Sequence, residues 1–153
     1  MWWNHKDGLM KYNGRKICLD KTKEGVRSIR GHAPGVEIWH RSGGHGISQR
    51  HRLINQNVSS GGGAINLAYQ LGADKIILLG YDMHGDKDGW MRNWYPEQWQ
   101  RARSQKGYAN ALIPFARLAS DAKGLGLAIL NATPGSCLKE FSMVDIEEVG
   151  CLA

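Results

Sequence analysis

Three short stretches carry the residue types that could do chemistry: Ser59-Ser60-Gly61-Gly62-Gly63, then Gly80-Tyr81-Asp82 with His84 two residues on, and Asn131-Ala132-Thr133-Pro134-Gly135-Ser136. Serines ahead of glycines suit a helix start, where free backbone amides and the helix dipole favour an anion by up to about 2 kcal/mol in a partly buried site. That chemistry suits a phosphate, with Ser59, Ser60, Gly61 and Gly62 at it. The same residues also fit a plain cap whose glycines allow close packing. The stretch is neither the GxGxxG of a dinucleotide fold nor the GxxxxGK[ST] of a P-loop. Asp82 and His84, a carboxylate and an imidazole beside that edge, could act as metal ligand, general base or ribose contact, and Asp82 could equally cap a turn. His40, His45 and His51 lie in a glycine-rich segment at spacings that match no common metal site.

The elements that must position these residues follow from pattern. Ala64, Leu67, Ala68 and Leu71 fall at helical spacing, which predicts a helix over 64–71 stopped by Gly72. Ile76 to Leu79 form a continuous apolar run, as expected of a parallel strand covered on both faces, and the run ends at Gly80-Tyr81-Asp82. In open α/β sheets ligands bind outside such strand ends. Leu127 to Leu130 predict a second buried strand leading into Asn131. Before these, Ile17-Cys18-Leu19, Val26 to Ile29 and Val36 to Trp39 read as strands, and Leu9 to Tyr12 as a short helix. Pro96 and Glu97 open a helical pattern, interrupted at Gly107 and Pro114, so a kinked helix or two helices reaching Lys123 are expected, with Leu112, Phe115, Ala116, Ala119 and Ala122 as the buried stripe. A last short helix lies around 145–149. Segments 40–57 and 84–95 are glycine-containing and aperiodic, and are expected to be mobile loops. Strands alternating with helices predict one α/β domain over 1–153 with a short, mostly parallel sheet.

Net charge is +6, and its distribution is uneven: residues 1–56 hold eleven Lys/Arg against four Asp/Glu, and residues 57–153 nine against ten. A basic first third suits a polyanion, either nucleic acid or nucleotide phosphate. Arg41, Arg50 and Arg52, with Trp39, Trp90, Trp94 and Trp99, could bind a single strand by stacking and charge. Cys18, Cys137 and Cys151 are an odd, widely spaced set and are expected to be reduced, mostly buried thiols of a cytoplasmic protein. No apolar run is long enough to span a bilayer, so no membrane partner is expected.

The order serine-glycine, A-I-N-L-A, L-G-A, I-I-L-L-G-Y-D-M and then N-A-T-P-G-S resembles a group of uncharacterised bacteriophage and prophage proteins. These are related to the domain of 6-hydroxymethylpterin diphosphokinase MptE-like proteins and motility-accessory-factor glycosyltransferases, and more distantly to single-domain bacterial sialyltransferases. The resemblance covers Trp2-Trp3 and most of 57–148. It implies a Rossmann-like three-layer fold and a nucleotide or nucleotide-sugar ligand, with magnesium left open, in a glycosyltransferase-like or diphosphokinase-like transferase of the bacterial host cytoplasm. It places Ser60 and Gly61 by the nucleotide, Asp82 and His84 near the reacting centre, and Gly80, Asn131, Thr133 and Ser136 at the strand ends. Relatives carry asparagine where this chain has Ser59, further histidines where it has Gly85-Asp86, and an N-terminal strand with a G-x-G-P-S loop that is absent here. The missing strands would leave a sheet edge to be covered, with a homodimer as one expectation. The competing expectation is a non-catalytic interaction protein, binding nucleic acid or serving phage assembly through residues 1–56.

Overall fold

The computed structural model describes residues 11–20, 35–85 and 105–149. The expected elements around Leu9 and Val26, the tryptophans at 2, 3, 90, 94 and 99, the Pro96 helix start and Cys151 lie outside these residues. The described chain is mixed α/β, in the order β1 (Lys16–Asp20), β2 (Val36–Ser42), β3 (Leu53–Asn55), α1 (Ser60–Gln70), β4 (Lys75–Leu78), α2 (Gln105–Gly124), β5 (Ala128–Asn131), β6 (Ser142–Met143) and α3 (Ile146–Val149).

The strands form two three-stranded sheets, β1-β2-β3 and β4-β5-β6, and every pairing is parallel. The expectation of a single short sheet is therefore corrected to two. In the first, Lys16 pairs with Val36 and His40 with Leu53. In the second, Ile76 pairs with Ile129 and Leu78 with Asn131, which brings the two expected strand ends side by side.

The core lies on one face of β4 and β5. Leu78 and Ile129 meet Ile65 of α1 and Phe115, Leu118 and Ala122 of α2, with Leu127, Leu138 and Phe141 closing it and Ile47 reaching in from the β2–β3 connection. Phe115 makes edge contacts with both Tyr81 and Phe141. Helix α2 runs unbroken through Pro114, and its buried face is Tyr108, Ala111, Phe115, Leu118 and Ala122, while Ala116 is exposed.

The expected loop over 40–57 instead holds the end of β2 and all of β3. Its connection is pinned by side chains. Asn57 Oδ1 accepts the Gly46 amide, Asp121 Oδ2 of α2 accepts that of Ile47, and Asn66 Oδ1 accepts that of Ser48. Asn57 and Asn66 are fully buried, a placement that costs free energy unless every polar atom is paired, as here. Of the cysteines, Cys137 is exposed and Cys18 half-buried, so the expectation of mostly buried thiols does not hold for Cys137; both are free. Among the described residues no helix is long and apolar enough to cross a membrane.

Candidate functional site

Helix α1 begins at Ser60, four residues before the apolar periodicity places it, because Ser59 and not Ser60 is the cap. Ser59 is extended, and its Oγ accepts the Gly62 amide at 3.0 Å while its carbonyl accepts that of Gly63. Ser60 and Gly61 are left with amides at the helix start that no hydrogen bond among the described residues uses. The glycines fall inside the helix, where they cost helical propensity, and two of them have a packing reason. A Cβ on residue 62 would meet Asn57 Cβ at 2.5 Å, and one on residue 61 would meet the Tyr81 ring at 2.8 Å.

The buried face of α1 is Gly62, Gly63, Ile65 and Asn66, not the Ala64-Leu67-Ala68-Leu71 stripe; Ala64 and Leu71 are exposed. Gly62, Asn66 and Gln70 stand at i, i+4 and i+8, one face of a helix. That face serves the backbone of β3. Asn66 Oδ1 accepts the Asn55 amide at 2.8 Å, Gln70 Nε2 donates to the Leu53 carbonyl at 2.8 Å, and Asn57 Nδ2 donates to the Asn55 carbonyl at 3.0 Å. The edge of β3 is thereby closed by amides rather than by another strand. Apolar periodicity is blind to such a face; asparagine and glutamine four apart on a helix are its signal.

The strand ends are stitched together. Thr133 Oγ1 accepts the Tyr81 amide at 3.0 Å, Ser136 Oγ donates to the Tyr81 carbonyl at 2.5 Å, and the Cys137 amide donates to the Asp82 carbonyl at 2.8 Å. Asn131 is fully buried. It donates to Ser136 Oγ and to the Leu138 carbonyl, and accepts the Thr133 amide. Asn131, Thr133 and Ser136 thus sit at the edge that the sequence assigns them, but their polar side-chain atoms are used in holding the β4 end to the turn after β5. Gly80 has φ +72, a conformation that favours glycine, and sends the chain out of the strand. Asp82 and His84 follow it, both exposed, with His84 Nδ1 against the Gly85 carbonyl at 2.7 Å.

Tyr81 joins the parts, a role its place in the turn does not announce. Its hydroxyl donates to the Gly61 carbonyl at 3.1 Å, so the β4 end and the α1 start are held together. Burial pushes its phenol above the ordinary value. The candidate site is therefore Ser60 and Gly61 on one side, with Gly80 and Asp82 on the other. Among the described residues no three of His, Cys, Asp and Glu come together to hold a metal ion.

A second polar cluster lies on the first sheet. Glu37 accepts two hydrogen bonds from Arg15 and one from Trp39 Nε1, with Arg52 at 3.6 Å. Those bonds, with the two guanidinium charges, hold its carboxyl down at about 2. Arg15 also lies over the buried Trp39 ring, 5.6 Å from its centroid. Arg15 and Arg52 are thus engaged, whereas Arg41 and Arg50 are exposed with no ion pair among the described residues. Comparison with known proteins finds no family model, no curated protein and no solved structure that matches this chain.

Proposed function

We propose that the chain binds the phosphate of a nucleotide or nucleotide-sugar at the start of α1, on a Rossmann-like α/β framework of glycosyltransferase-like ancestry. The observation that supports it most directly is the pair of amides at Ser60 and Gly61, tied by Tyr81 to the carboxyl end of β4. Oriented amides at a helix start favour negative charge, and a parallel strand end beside them is where α/β sheets take ligands. Asp82, exposed at the end of β4, is the group for a ribose hydroxyl, a magnesium ion or a proton, and His84 is the second candidate for proton transfer. In this reading the enzyme transfers a group from the nucleotide-activated donor in the host cytoplasm. A thermal-shift panel of CMP, CDP, UDP, GDP and ATP, with and without magnesium, tests it. Stabilisation by at least one is expected, and none at millimolar concentration removes the claim.

The second reading is a non-catalytic interaction protein that binds nucleic acid through the basic first third. It is supported by the exposure of Arg41 at the end of β2 and Arg50 in the turn before β3. Retention on single-stranded nucleic acid that falls with salt, and falls further in an Arg41→Ala/Arg50→Ala variant, would favour it. Retention unchanged by those substitutions would count against it.

A further inference from the structure

The two strands joined by α1 end their sheets differently. Along β3 the outward backbone groups of Leu53 and Asn55 are bonded by Gln70, Asn66 and Asn57. Along β4 nothing comparable occurs among the described residues. The carbonyls of Asp74 and Leu78 accept from Ala128 and Ala132 of the neighbouring β5 segment, so the alternate residues Lys75, Ile77 and Leu79 aim their backbone groups away from it. No hydrogen bond among the described residues takes these groups up. This edge, open among the described residues, is also sharply bounded. At one end the Ala73 amide is bonded to the Ala68 carbonyl, and at the other the Tyr81 amide is bonded to Thr133 Oγ1.

The side chains of this edge are those of an interior strand. Lys75 is its one charge, followed by Ile76, Ile77, Leu78 and Leu79, and Leu79 is 59% exposed. Edges that stay free are usually blunted by short length, charge, proline or a bulge; here Lys75 at one end is the only charge, and the unpaired apolar run after it, with no proline, offers backbone groups for pairing.

We infer that the β4 edge pairs with the β4 edge of a second copy, antiparallel, about a two-fold axis at Ile77. The three outward residues are symmetric about Ile77, so this register uses all of them. Ile77 exchanges both bonds with its counterpart and Lys75 exchanges both with Leu79 of the other copy, about six hydrogen bonds in total. Charge permits it. The two lysines lie four residues apart along the paired strands, about 14 Å at ~3.4 Å per residue and beyond a Debye length of about 8–10 Å. Each lysine stem instead lies along a leucine. The contact is isologous and closes on itself, so it ends at two copies.

Sedimentation equilibrium of the chain is expected to give twice 17.0 kDa at high micromolar concentration. Ile77→Pro removes the outward amide from an edge that tolerates proline, and is expected to return the mass to 17.0 kDa with an unchanged circular dichroism spectrum. In a background with Cys18, Cys137 and Cys151 replaced by serine, Ile77→Cys is expected to form an intermolecular disulfide on mild oxidation. Directly opposed residues of a bonded pair have Cα atoms about 5.5 Å apart, within disulfide reach. Leu79→Cys alone is expected to form none. A wild-type mass of 17.0 kDa, a folded Ile77→Pro variant that stays dimeric, or cross-linking through Leu79→Cys but not Ile77→Cys would each overturn the inference. Should Ile77→Pro fail to fold, the two cysteine variants decide it.

Discussion

The Tyr81 hydroxyl donates to the Gly61 carbonyl at 3.1 Å, and the Tyr81 ring occupies the space that a Cβ on residue 61 would need. One contact therefore sets both the residue type at the helix start and the approach of β4 to it. The three glycines of α1 are predicted to respond differently to alanine. Gly62→Ala drives a Cβ against Asn57 at 2.5 Å and is expected to cost on the order of 1–3 kcal/mol. At Gly63 the nearest atom would be 3.7 Å away, an ordinary contact, so Gly63→Ala is expected to stabilise by about 0.5–1 kcal/mol. Gly61→Ala should destabilise, and less so in a Tyr81→Leu background. Urea unfolding of the variants and the double-mutant cycle measures all three.

Tyr81→Phe keeps the ring and removes the bond to Gly61, with an expected loss of roughly 0.5–1.5 kcal/mol. The pH dependence carries a sign. A phenol raised by burial keeps its proton in the folded protein at a pH where the unfolded chain has lost it, so stability falls as pH rises past the ordinary value of 10.0. Wild type is expected to show that alkaline loss more steeply than Tyr81→Phe, read from urea midpoints between pH 8 and about 11.

Asn57 and Val58 both have left-handed backbone, at φ 50 and φ 60. Asparagine tolerates this; a β-branched valine does not, and Val58 is 55% exposed, with little packing in return. Val58→Gly is expected to raise stability by about 1–2 kcal/mol. A loss in the thermal or urea midpoint would show that the valine side chain packs more than its exposure indicates.

Glu37 supplies the acid-side prediction. Its folded carboxyl is depressed from 4.5 to about 2, first by the Arg15 hydrogen bonds and then by Trp39 Nε1. A depressed carboxyl contributes stability that is present above its unfolded value and is lost as pH falls from about 4.5 to about 2. Glu37→Gln is expected to lack that part of the acid loss, so the two midpoint curves converge toward pH 2.

Much of this fold is legible in the sequence where apolar runs are unbroken. The segments around Ile17, Val36, Ile76 and Leu127 are strands, with ends shifted by a residue or a few. Leu53 to Asn55 and Ser142 to Met143 are not legible, because they are too short to show alternation. Helix α1 misleads for a different reason: apart from Ile65 its buried face is glycine and amide, with Asn66 and Gln70 bonded to the edge of β3, so the hydrophobic period points elsewhere. At the candidate site the adjacency of the two strand ends is legible. What sequence cannot separate is a serine or threonine aimed at a ligand from one consumed in holding the backbone, as Thr133 and Ser136 are.

The central claim is that the Ser60 and Gly61 amides receive a phosphate, and titration followed by amide chemical shifts reads it most directly. With UDP or CDP, the Ser60 and Gly61 amides are predicted to shift furthest and to saturate. Ser60→Pro is the matched variant, since proline is tolerated at the first helical position and Ser59 is already extended, at φ −138 and ψ 154. It is predicted to fold normally and to weaken binding about tenfold, the loss of one charge-assisted bond. Shifts confined to other residues, or none with either nucleotide at millimolar concentration, would contradict the account.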